Sequence, residues 1–138
     1  MSPRALFLSA LLLAPLSATA DVWSFATPSK NIECWVGEEA TFSDIHCTIY
    51  QKTAQPPVAR PFGCAQSWGH TYRMNDRGYV EMTCESVAAA GRGAQSVAEY
   101  GVTGRFGGFT CRSERTGLEC RNLDGHGFFL SRARISVF

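Results

Sequence analysis

The sequence has no hydrophobic run long enough to remain in a membrane. Its one extended apolar stretch, Ala5 to Leu16, is interrupted by Pro15 and falls short of the roughly 20 residues that cross a bilayer, so no membrane anchor is expected. There is no basic excess either. Beyond residue 20, 12 basic side chains face 12 acidic ones, because Arg4 is the one basic residue before that point. A nucleic-acid partner is thereby disfavoured, since phosphate binding needs positive charge gathered on one face. C-x-x-C spacing is missing, and His46, His70 and His126 lack the i, i+2 or i, i+4 spacing that preorganises a metal site. No metal and no cofactor are expected. Gly-x-Ser-x-Gly is absent as well, so no nucleophile is marked for hydrolysis. The paired carboxylates of glycoside hydrolysis are not assignable, because Glu33, Glu81 and Glu119 alternate with apolar positions and are expected to face solvent.

What is present begins with a processing signal. A short charged start (Met1 to Arg4), the apolar run, and Ala18-Thr19-Ala20 before Asp21 form a signal peptide over residues 1–20. The mature part, residues 21–138, has the length of one domain, expected to be secreted or periplasmic. All six cysteines (34, 47, 64, 84, 111 and 120) lie in it, and an even count in a small exported domain reads as three disulfides.

Alternation narrows the pairing. Ile32, Cys34 and Val36 occupy one face of a strand, as do Ile45, Cys47 and Ile49. Setting Cys34 opposite Cys47 places Val36 against Ile45 and Ile32 against Ile49. Phe109 and Cys111 alternate in the same way, as do Leu118 and Cys120, with Glu114 to Gly117 as the turn between them. Cys64 and Cys84 then remain for each other, tying the loop after Pro61 to a strand over 79–84.

Short strands are expected at 22–25, 32–36, 45–50, 71–74, 79–84, 99–101, 109–112, 118–121, 128–132 and 135–138, with Asn75 to Gly78 as the middle turn. The fold class is all-β: a small antiparallel sandwich or barrel stapled by disulfides, with a trefoil suggested by the repeat of Ile32-Glu33-Cys34 in Leu118-Glu119-Cys120. Segments 53–61 and 86–96 are expected to be irregular, with a short helix over 87–90 as an alternative. Charge is uneven. Residues 21–59 hold two basic and five acidic groups, and residues 100–138 hold six arginines against three acidic groups. The two segments attract if adjacent, and make the domain a dipole if they face opposite ways.

An ordered series of motifs runs through the chain: Phe25 to Cys34, Ile45-His46-Cys47, Pro61 to Cys64, Trp68-Gly69, Tyr100-Gly101, Cys111-Arg112-Ser113, Gly117 to Asn122 and Gly125 to Phe128. It resembles an uncharacterised family of small secreted six-cysteine bacterial proteins, a domain of unknown function. The resemblance spans the mature chain, implies an exported six-cysteine domain, and transfers no catalytic residue. Its one departure is Ala88 to Gln95, which is longer and lower in complexity than the family pattern.

Three surfaces are candidates for function. Trp35, His46 and Tyr50 fall on the face opposite the cysteines of the first hairpin, where aromatics form a binding platform unless a loop covers them. Arg112 and Arg121, with Arg132 and Arg134, suit carboxylates or anionic glycans, or a plain solvated face. In Asp124-Gly125-His126-Gly127 the His–Asp pair is either a general base or part of a hairpin turn. The reading is a non-enzymatic binding module, an envelope adaptor or inhibitor, whose partner is a protein or glycan of the cell envelope or host. Its rivals are a small hydrolase using His126 with Asp124, and a structural envelope protein without a soluble ligand.

Overall fold

The alternation of apolar residues builds the first hairpin and sets its register. β1 (Asp21–Ala26), β2 (Ile32–Glu38) and β3 (Ser43–Ile49) pair antiparallel, with Cys34 opposite Cys47, Val36 opposite Ile45 and Ile32 opposite Ile49. In the computed structural model, residues 21–87 and 93–138 are described; the leader expected over 1–20 lies outside them, as do residues 88–90 of the alternative helix. The remaining strands are β4 (Thr71–Asn75), β5 (Glu81–Thr83), β6 (Ser96–Val97), β7 (Thr103–Phe106), β8 (Phe109–Glu114), β9 (Gly117–Arg121), β10 (Gly127–Leu130) and β11 (Ile135–Val137).

They form two sheets, ordered β5-β4-β3-β2-β1-β6 and β11-β10-β9-β8-β7, with β1 and β6 parallel and every other pair antiparallel. The inner faces share one core. Cys34, Val36, Ile45, Cys47, Tyr72 and Met74 of the larger sheet are buried with Phe109, Cys111, Leu118, Cys120, Phe128 and Leu130 of the smaller. Phe25 stacks on Phe106 at 4.9 Å, and Tyr72 approaches Phe128 at 6.0 Å, so aromatic rings bridge the sheets at both flanks. Burial pushes the Tyr72 hydroxyl up to about 12, and it donates to the Gly69 carbonyl. The architecture is a two-sheet sandwich, and the threefold arrangement of a trefoil is not present.

The disulfides are Cys34–Cys47, Cys64–Cys84 and Cys111–Cys120. The first and third join directly opposed residues whose Cα atoms are 4.1 Å apart, the close spacing of a cross-strand pair. The second holds the long β3–β4 connection against the chain leaving β5.

Three strand expectations need correction. Residues 99–101 form a turn, with Gly101 at φ 83, and the edge strand is β7 instead, closed onto β8 by Gly107-Gly108 so that Phe106 pairs with Phe109. The middle hairpin pairs Arg73 with Glu81, so Tyr79 and Val80 belong to a wider loop. The reason is tertiary: the Asn75 and Gly78 carbonyls accept hydrogen bonds from the Asn122 amide of the other sheet and are not free to extend the ladder. Finally, Glu114 pairs with Gly117, which shortens the β8–β9 turn to Arg115-Thr116.

Each hairpin turn falls at one of two ends. The β1–β2, β8–β9 and β10–β11 turns border one cavity and share an end, where Lys30, Arg115, Arg132 and Arg134 stand. Glu38, Glu39 and Asp76 border a cavity at the opposite end with Gly107, Gly108 and Leu123, and Asp124 lies in the same β9–β10 loop. Charges of opposite sign thus gather at the two ends, and each end draws on both of the unevenly charged segments: Lys30 stands with Arg115 and Arg132, and Asp124 with Glu38 and Glu39.

Candidate functional site

The basic end is built by its turns. Thr27-Pro28-Ser29-Lys30 closes the β1–β2 hairpin with the Lys30 N–H donating to the Thr27 carbonyl at 2.8 Å, and Pro28 presets the turn. Lys30 has φ 60, the left-handed region that favours glycine and costs a side-chain-bearing residue about 1–2 kcal/mol. Asn31, which is buried, then uses its side chain as a backbone would: its amide donates to the Gln51 carbonyl at 2.9 Å, and its Oδ1 accepts from the Gln51 N–H at 2.8 Å. That clamp fixes Tyr50 beside β2.

Two adjoining cavities open at this end, of about 320 and 530 Å3. Both are lined by Thr27, Ser29, Asn31 and Arg132. Arg115 and Tyr100 border the smaller, the guanidinium lying 5.1 Å from the ring centre. Glu33, Lys30 and Tyr50 border the larger. None of Lys30, Arg115 and Arg132 forms an ion pair among the described residues. Glu114, on the rim of the smaller cavity, is held by Arg112 at 2.6 Å.

Glu33 departs from expectation. Its position on the outer face of β2 predicts a solvated carboxylate, yet it is 7% exposed, and on the same face Thr48 and Thr71 are fully buried and bonded to each other at 3.0 Å. Topology explains why. The chain passes from β5 at one edge of the larger sheet to β6 at the other, and both described ends of this crossing lie on the outer face: Glu85 reaches His46, and the Gln95 N–H donates to Ser24 Oγ. Glu81 is exposed, and Glu119 pairs with Arg121 at 2.8 Å.

The other expected site residues are not brought together. Trp35 is opposite His46, as the register requires, with ring centres 6.3 Å apart, but both are half-buried and His46 Nε2 is 3.2 Å from Glu85. Tyr50 stands apart from them, at the basic end, where its hydroxyl donates to Glu33. Arg112 and Arg121 occupy the outer face of the smaller sheet; Arg112 also donates to Thr103, and Arg121 lies 4.4 Å from the centre of the Phe138 ring. Arg134 covers Phe129 in the same manner at 4.1 Å.

Asp124 and His126 sit at the acidic end. The Asp124 carboxylate accepts from the Gly78 N–H at 2.8 Å and from Arg77 at 2.9 Å. That backbone bond, with Arg77, holds the carboxyl below its ordinary value. The His126 ring centre is 4.4 Å from that of Tyr79, and both the Asp124 and His126 N–H groups donate to Asn122 Oδ1. These groups bind the β9–β10 loop to the β4–β5 loop.

Lys30, Glu33, Arg115 and Tyr100 were not singled out as site residues by sequence, although Pro28 before Lys30 marked the turn. Their convergence depends on which turns share an end. Among the described residues, no group of three or more His, Cys, Asp or Glu could hold a metal ion, and no helix is long and apolar enough to cross a membrane. No curated protein and no solved structure matches the chain. A family model described as a family of unknown function, DUF6636, matches residues 5–138, and the chain belongs to that family.

Proposed function

We propose that the protein is an exported, non-enzymatic binding module, secreted or periplasmic after loss of residues 1–20, and that its basic end is the recognition surface. The observation that carries this reading is the set of three cations, Lys30, Arg115 and Arg132, around two adjoining cavities with no carboxylate paired to them among the described residues. Cations left unpaired at a concave surface favour a partner that presents carboxylates, a protein or glycan of the envelope or host. Three disulfides support export, since such bonds persist in oxidising compartments. The rival hydrolase is less well supported: the Asp124 carboxylate is bonded to Gly78 and Arg77, which leaves it poorly placed to orient His126 as a base.

Capture from an envelope fraction by the immobilised, oxidised protein tests the assignment. Arg115→Ala with Arg132→Ala is expected to lower capture at least roughly tenfold, while Arg105→Ala, on β7 away from these turns, leaves it unchanged. If capture survives the double substitution and is lost in Trp35→Ala, recognition belongs to the outer face of the larger sheet. A hydrolytic activity lost with His126→Ala would replace the binding reading with the enzymatic one. Cleavage before Asp21 is checked by the intact mass of the exported protein.

A further inference from the structure

The larger of the two cavities is bordered by charges of both signs: Glu33 from β2, Lys30 from the β1–β2 turn and Arg132 from the β10–β11 turn. Its volume, about 530 Å3, lies within the roughly 300–1,000 Å3 typical of small-molecule sites. Glu33 is 7% exposed, yet it forms no ion pair among the described residues. Its Oε2 accepts from the Tyr50 hydroxyl at 3.1 Å, and its Oε1 has no hydrogen-bond partner there. Carboxylates on residues this buried normally have a cationic or strongly donating partner, and among the described residues Glu33 faces the cavity without a paired cation, a role that a positive group on a ligand would fill. A purely cationic ligand would, however, meet Lys30 and Arg132 on the same walls, and a purely anionic one would meet Glu33. A ligand carrying both charges a few bonds apart meets each wall with its complement.

Resting on the reading of the basic end as the recognition surface, we infer that this cavity receives an amino-acid zwitterion, its ammonium against Glu33 and its carboxylate against Lys30 and Arg132. Ala26, Pro28 and Val97 supply apolar wall for the rest of the ligand. The strained backbone of Lys30 accords with this assignment, because a glycine would relieve the strain and lose the charge. A free amino acid and a residue joined to a larger molecule through its side chain share this chemistry.

Titration of the oxidised protein by calorimetry, with L-alanine, N-acetyl-L-alanine and L-alanine methyl ester as probes, tests the inference. Saturable binding of alanine is expected, with both blocked forms at least roughly tenfold weaker, and with Glu33→Gln and Arg132→Gln each lowering alanine affinity by a similar factor. Nε-acetyl-L-lysine binding as well as alanine assigns the site to a side-chain-linked residue, and its exclusion assigns it to the free amino acid. Equal binding of N-acetyl-L-alanine, or no saturable binding of alanine at millimolar concentration, overturns the inference. Should Glu33→Gln fail to fold, Lys30→Gln in the turn carries the same expectation. The two readings fail separately: envelope capture that depends on Arg115 without alanine binding removes only the zwitterion site, and alanine binding with capture indifferent to Arg115 removes only the surface assignment.

Discussion

The two ends of the sandwich are joined in different ways. At the acidic end Asn122, Asp124 and Asp76 bond to the protein itself, while Glu38 and Glu39 form no ion pair among the described residues. Asn122, buried, donates to the carbonyls of Asn75 and Gly78 and accepts from the N–H groups of Asp124 and His126, so one side chain makes four hydrogen bonds, two across to the β4–β5 hairpin and two within its own loop. Asp124 holds Arg77 and the Gly78 backbone, and Asp76 accepts from the Ser43 N–H at 3.2 Å. At the basic end Asn31 makes two such side-chain bonds, to Gln51, while Lys30, Arg115 and Arg132 are left without carboxylates among the described residues. Ser113 Oγ, near this end on β8, is a buried hydroxyl without a hydrogen-bond partner among the described residues. The difference separates groups that hold loops in place from cations left without a carboxylate among the described residues, and it is on those cations that the proposed recognition role rests.

The comparison breaks most readily on the two asparagines. Asn122→Ala is expected to lower unfolding free energy by about 2 kcal/mol in urea denaturation, since it removes four hydrogen bonds made by one buried side chain. Asn31→Ala is expected to lose roughly half as much, because fewer partners are stranded. The reverse order would show that the basic end is the structural one. A smaller effect of opposite sign is expected from Ser113→Ala, which removes an unsatisfied hydroxyl and raises stability by about 1 kcal/mol in the same assay. Lys30→Gly is expected to raise unfolding free energy slightly, by about 0.5 kcal/mol after the added chain entropy of glycine, while weakening ligand capture. A fall in both stability and capture would show that Lys30 supports the turn instead of a ligand.

The smallest effect concerns Asp124, whose carboxyl is held below its ordinary value of 3.8 by the Gly78 N–H and by Arg77. A depressed carboxyl stabilises the fold above its unfolded-state value, and that contribution disappears as pH falls through the folded-state value. The wild type is therefore expected to exceed Asp124→Asn by a constant margin above about pH 4, with the margin closing at lower pH in urea midpoints. A margin that persists unchanged at pH 2 would mean that the carboxylate charge contributes nothing to joining the two loops.

Much of the framework was legible because it rests on alternation over short distances. Cys34 opposite Cys47 and Cys111 opposite Cys120 follow from apolar faces of period two, and a slip of one residue would have put every core side chain in water. The edge strand β7 was missed, although Gly107-Gly108 before Phe109 marked its hairpin, because Thr103 to Phe106 has little apolar alternation. Glu33 was misjudged for a different reason: its strand position is outward, but Tyr50 bonds to it there and both described ends of the β5–β6 connection lie on the same face of the sheet. The candidate site was the least legible part, since Lys30, Arg115 and Arg132 are far apart in the chain and meet only at one end.

By itself, the sequence determined the cysteine pairing, the strand faces, the all-β class and the uneven charge, all of which depend on residue type and on neighbours along or directly across a strand. The tertiary structure alone decided that the two charge clusters lie at opposite ends, that Glu33 is buried, and that three turns enclose adjoining cavities. The physical reason is that side-chain alternation has a fixed period and repeats locally, whereas sharing an end of the sandwich depends on how the two sheets stack, which is an outcome of the whole core.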